Sequence, residues 1–112
     1  MSIFYVIQWT AQREHLPEVE AAIVALHEHV QREHPSIRSA RCFRPQFGGP
    51  PARPGFIWME ELESLTAIDE SDRTETTAAC TEVWNAIYQY AVPGSVVVEL
   101  WRDQAREDWF DR

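Results

Sequence analysis

Lysine is absent: every one of the 10 Lys/Arg-type cations is arginine, set against 18 acidic residues for a formal net charge of −8. The absence excludes Schiff-base and lysine general-base chemistry. The acidic balance argues against nucleic acid and anionic membranes as partners, because neutralising phosphates requires a basic surface. Cysteine is scarce: Cys42 and Cys80 are too few for a disulfide scaffold or a zinc site, and both are read as reduced, buried thiols in apolar settings. No apolar run approaches the roughly 18 residues that span a bilayer. Phosphate-binding loops, Gly-x-Gly-x-x-Gly fingerprints and serine triads are also missing, so nucleotide and hydrolase roles fall away. The opening MSIFYVIQW has neither the basic region nor the small-residue cleavage site of a secretory signal, and a cytoplasmic location is expected.

What is present fits one globular domain of 112 residues, 45% hydrophobic and 25% charged. IFYVIQWT, residues 3–10, is rich in β-branched and aromatic types and reads as a strand covered on both faces. Pro17 opens a helix in which Val19, Ala22, Ile23, Leu26 and Val30 recur at helical spacing, ending before Pro35. Residues 37–44, IRSARCFR, form a second strand with impure alternation, since Arg38, Arg41 and Arg44 do not share a face. Residues 45–55 hold four of the seven prolines and three of the four glycines and form a connecting loop. FIWMEEL, 56–62, is the third strand, with Ser64 capping a helix that starts near Leu65 and breaks near Asp72. Cys80, Val83, Trp84, Ile87 and Ala91 restore the helical spacing until Pro93 and Gly94 end it. SVVVELW, 95–101, is the fourth strand.

The order β-α-β-β-α-β predicts a ferredoxin-like α+β domain over residues 1–103, with an antiparallel four-stranded sheet, both helices on one face, and a tail at 104–112. The other sheet face, also apolar, needs a cover that the two helices do not supply. A homodimer with facing sheets is the economical solution. Trp109 and Phe110 in the charged tail suggest docking onto the partner or over a pocket mouth.

Three segments, HPSIRSARCFR after the first helix, EELESLTAI at residues 60–68 and VPGSVVVELW at 92–101, resemble the dimeric α+β barrel superfamily over roughly residues 3–103. That superfamily includes antibiotic-biosynthesis-type monooxygenases, quinol monooxygenases, polyketide cyclases, heme-degrading oxygenases and stress-responsive barrel proteins. The resemblance implies a dimeric barrel that handles small molecules. Heme-degrading members use a His on the second helix, and none lies between Ser64 and Val92, so no heme is expected.

The four histidines, His15, His27, His29 and His34, all lie in or beside the first helix. No pair has the i, i+4 spacing of a helical metal site, so neither a metal nor another cofactor is expected. His27 and His29 read as solvated or half-buried flank residues, whereas His15 and His34 at the helix ends are candidates to rim a cavity and act as the base. Gln8, Arg41, Glu60 and Glu99 interrupt apolar strands. One reading pairs Arg41 with Glu99 or Glu60. The other has them converge on a cavity between sheet and helices, where Gln8 donates a hydrogen bond and Arg41 holds an oxyanion. Trp58, Trp84 and Tyr88 then offer stacking surfaces for a flat ligand, unless they serve only to fill the core. Two functions remain open: a cofactor-independent monooxygenase or cyclase acting on a phenolic, quinol or polyketide-like substrate, or a non-enzymatic dimeric ligand-binding or stress-responsive barrel.

Overall fold

A computed structural model describes residues 3–45, 55–64, 66 and 78–103. Its elements run β1 (Ile3–Thr10), a short 3-10 turn (Arg13–His15), α1 (Leu16–Glu33), β2 (Ile37–Phe43), β3 (Gly55–Leu62), α2 (Ala78–Tyr88) and β4 (Val97–Arg102). The proline-rich loop with Phe47, the onset and break expected between Leu65 and Asp72, the side chain of Cys80 and the aromatic tail lie outside the described residues.

The strands form one antiparallel sheet in the order β2-β3-β1-β4, the ferredoxin-like arrangement the sequence predicts. Pairing of Ile7 with Trp58 and Trp9 with Phe56 gathers the large apolar residues of the central strands on one face. Val19, Ala22, Leu26 and Val30 of α1 and Trp84 and Ile87 of α2 pack against that face. Leu26, Val19, Ile87 and Trp58 are wholly enclosed, and a buried Leu or Ile contributes about 1.5–3 kcal/mol. The opposite face, with Phe4, Gln8, Ile57, Met59 and Glu61 on its central strands, receives neither helix.

Two boundaries depart from expectation. β2 pairs Ile37 with Leu62 and then Ser39 with Glu61, so Arg38 is an extra residue in a β-bulge. The bulge shifts Arg38 alone; Arg41 and Arg44, three residues apart beyond it, fall on opposite faces by ordinary alternation. The second helix stops at Tyr88 rather than at Pro93. Past that point the chain is recruited by β1: Ala91 bridges Ala11, Gln12 N donates to Tyr90 O at 2.8 Å and Val92 N to Thr10 O at 2.7 Å. The Val92–Ser95 turn closes with Ser95 N donating to Val92 O at 3.1 Å, and Gly94 there has φ +78°, a left-handed conformation that glycine takes without penalty. No helix among the described residues is long and apolar enough to cross a membrane.

Candidate active site

α1 presents its buried stripe to the sheet at Val19, Ala22, Leu26, His29 and Val30. His29, read from the sequence as a flank residue, is only 7% exposed. It follows Leu26 by three residues and Ala22 by seven, so it belongs to the apolar stripe despite its chemistry. Pro35 then forces the preceding residue out of the helical region, and His34 caps α1 at φ −123°, ψ 75°. Its ring swings back to lie 5.3 Å from that of His29, edge to face, a meeting that regular helix geometry does not allow at this separation.

His34 is 2% exposed, and neither of its ring nitrogens has a hydrogen-bond partner among the described residues; nor does Nε2 of His29. A desolvated polar atom left in this state costs about 1–3 kcal/mol. Burial of the ring, with His29 beside it, holds the His34 pKa below its ordinary value of 6.5, while Glu33 acts weakly in the other direction. His34 is therefore a neutral imidazole at neutral pH, able to accept a proton.

His34 belongs to the lining of a pocket of about 420 Å³ between the C-terminal half of α1 and the start of β2, together with His27, Gln31, Arg38 and Ser39. His27 also lines a second hollow of about 290 Å³ with Ile23, Cys42 and Trp58. The two share a wall and make a groove along the α1–β2 edge. A ladder of rings backs it: His27 sits edge-on to Trp58 at 6.4 Å, Trp58 edge-on to Trp84 at 6.1 Å, and Trp84 stacks on Tyr88 at 5.4 Å.

The other expected residues do not gather here. His15 stacks on Tyr90 at 4.5 Å and lies 4.0 Å from Glu18 at the far end of α1. The helix has 18 residues, so His15 and His34 stand roughly 27 Å apart and cannot serve one small pocket. Convergence of Gln8, Arg41, Glu60 and Glu99 between sheet and helices is corrected by the register. Glu60, opposite Ala40 and Tyr5, is buried on the helix-bearing face, whereas Arg41 is opposite Met59 and points the other way. Gln8 donates from Nε2 to Glu99 Oε1 at 2.7 Å, also on the uncovered face. The pairing of Arg41 with Glu99 is excluded as well, because β2 and β4 are opposite edges of the sheet, roughly 14 Å apart at normal strand spacing. Arg41 instead borders a shallow hollow with Phe4, Phe43 and Met59.

Reasoning on helical spacing missed His29, Arg38 and Gln31. The available signal was the run HEHVQREHP, in which a histidine stands directly before the proline that must end the helix.

No protein-family model matches the chain, and no curated protein matches it. Solved structures do. SnoaB, a cofactor-independent oxygenase from Streptomyces nogalater, aligns with a TM-score of 0.73 at 10% identity over 96% of this chain and 98% of that one. A structure described as an antibiotic biosynthesis monooxygenase gives 0.71 at 19% identity over 92% and 99%. A dimeric ferredoxin-like protein of unknown function from Jannaschia sp. CCS1 gives 0.71 at 11% over 92% and 100%. The chain thus shares the ferredoxin-like fold of antibiotic-biosynthesis-monooxygenase-like structures, the group its sequence resembles.

Proposed function

We propose that this protein is a cofactor-independent oxygenase or cyclase acting on a flat phenolic, quinol or polyketide-like substrate in the α1–β2 groove. The observation that carries the reading is His34: a buried imidazole, held neutral, its ring nitrogens unpartnered among the described residues, belonging to the lining of a groove that Trp58 backs. Such a base removes the proton of a phenolic O–H or an activated C–H. The resulting phenolate or carbanion is electron-rich enough to pass electrons to dioxygen, or to close onto a carbonyl, with little further help. Trp58 gives the groove an apolar wall. The oxygenase named among the similar folds supports the kind of chemistry.

The same reading includes a homodimer formed through the uncovered sheet faces. Phe43, Val97 and Trp101 are 42–47% exposed on that face in the single chain, and a fold neighbour is described as dimeric.

The test is oxygen consumption with anthrone or a substituted quinol as substrate. The wild-type rate should follow a histidine-like titration, rising as His34 loses its proton, and His34→Gln should lower kcat by about a hundredfold or more. A rate no higher than the buffer background, for wild type and variant alike, would leave a non-enzymatic ligand-binding barrel as the function.

A further inference from the structure

The pocket between α1 and β2 differs in character from the chain that builds it. The molecule carries 18 acidic residues against 10 arginines, yet the described residues lining this pocket include no carboxylate. Its polar wall consists of His27, Gln31, His34 and Arg38, all able to donate hydrogen bonds, whereas the hydroxyl of Ser39 already donates to Glu61 Oε2 at 3.2 Å.

We propose that this pocket binds a small aromatic carboxylate, its anionic head held by the Arg38 guanidinium and by His34, which takes up a proton from solvent as the ligand enters. The inference rests on the groove being the active site and adds the class of molecule it accepts: an aromatic substrate or product bearing a carboxylate.

Three observations converge on it. The bulge at Arg38 breaks the alternation of β2, so that a cation contributes to the pocket beside Ile37 and Ala40; bulges commonly re-aim side chains beside active sites. The same lining holds His34, whose buried imidazole nitrogens have no partner among the described residues, a costly arrangement that an incoming acceptor would relieve. Finally, the only ion pair of Arg38 among the described residues is to Glu63 at 3.8 Å, with both side chains more than half exposed. A pair of this kind is worth little, and a carboxylate in the pocket can displace it.

The charged and titratable groups around His34 set the sign of the proton coupling. From α1 it faces His29, His27 and Glu33; from β2, Arg38; from β3, Glu60 lies buried beside Ala40, with Glu63 beyond. In the free protein, desolvation and the neighbouring imidazole favour neutral His34. A carboxylate at hydrogen-bond distance favours the imidazolium. Binding therefore consumes one proton, and affinity rises as pH falls.

Calorimetric titration of the full-length protein with benzoate, and with benzamide as its neutral counterpart, tests the proposal between pH 6 and pH 8. Benzoate should bind about tenfold or more tightly at pH 6 than at pH 8. The enthalpy should vary with the buffer as expected for uptake of about one proton. Benzamide should show no such dependence. Arg38→Gln should weaken benzoate binding about tenfold or more at pH 6, and His34→Asn should remove the pH dependence. If His34→Asn fails to fold, the proton NMR signal of His34 in wild type decides instead, moving toward the imidazolium position when benzoate is added at pH 7. Benzoate that does not bind, that binds like benzamide, or that binds Arg38→Gln equally well would overturn the proposal. Turnover of a neutral quinol with no benzoate binding would refute this inference alone, whereas proton-linked benzoate binding with no turnover of any phenol would refute the oxygenase reading alone.

Discussion

The ring nitrogens of His34 give up hydrogen bonds to water without regaining them among the described residues, and the thermodynamic consequence is a dependence of stability on pH. The pKa of His34 in the folded chain lies below the ordinary 6.5, first because the ring is buried and second because His29 adjoins it. An unfolded chain binds the proton more readily, so acid favours unfolding. Stability should be fully present above pH 6.5 and decline as pH falls from there toward the lower folded value. Urea denaturation at pH 7.5 and pH 5.5 should show a lower midpoint at the acidic pH, and His34→Leu should flatten that difference; equal midpoints in the wild type would contradict the assignment. Cys42 shows the same physics in a thiol. Burial raises its pKa to about 11, against a weaker opposing pull from Arg44. At pH 8 it should carry about a hundredfold less thiolate than an ordinary cysteine and react correspondingly slowly with iodoacetamide, which peptide mass mapping can follow residue by residue. Half of this chemistry was legible in the sequence. His34 stood out as a helix-end candidate base, but its meeting with His29 was not visible, because a fixed rotation per residue no longer holds once Pro35 pushes His34 out of the helix.

Among the elements, the central strands and α1 were readable to within a residue or two because their apolar periodicity is dense. The bulge and the misplaced end of the second helix have local causes. A bulge in β2, which alternation does not foretell, displaces Arg38, and backbone bonds to β1 and the residues just after it draw residues 90–92 out of α2 although their composition suits a helix. The site suffered more than the fold. Gln8, Arg41, Glu60 and Glu99 all interrupt apolar strands, but which face each one occupies depends on strand order and register, and alternation within one strand carries neither. The turn that leads into β4 offers an element-scale test. A Cβ added to Gly94 would meet nothing within 4 Å, so its φ of +78° is the sole penalty for another residue. Gly94→Ala should lower stability by about 1 kcal/mol through backbone strain alone. Trp58→Ala, by contrast, empties the centre of the core and should cost about 3–5 kcal/mol. Both are measurable by chemical denaturation, and a Gly94→Ala cost as large as that of Trp58→Ala would mean that the turn carries packing the structure does not show.

At the scale of the whole molecule the helices cover one face of the three strands β1 to β3 and leave the other bare, while β4 is exposed on both sides, Val98 and Leu100 being 50% and 53% exposed on the helix-bearing side. Val97, Glu99 and Trp101 extend the uncovered face beside Gln8 and Phe4, and Phe43 continues it on the far edge strand. Large aromatic and β-branched groups standing in water on a regular antiparallel sheet mark an interaction surface. A second copy fits it by symmetry: a two-fold axis brings the patch onto itself and covers both sheets at once. The Gln8–Glu99 hydrogen bond would then lie at or near the contact, satisfying polar groups that a dry interface would penalise. Light scattering at micromolar concentration should report about 26 kDa, twice the 13.0 kDa chain. Val97→Glu combined with Trp101→Glu sets four carboxylates into the contact of each dimer and should return the chain to its monomer mass with its helical circular dichroism kept. Val24→Glu provides the control, since Val24 is at least as exposed but lies on α1, away from the sheet's uncovered face. It should leave the dimer intact. A wild-type mass of one chain, or a dimer that survives the double substitution, would show that the uncovered face is not where two copies meet.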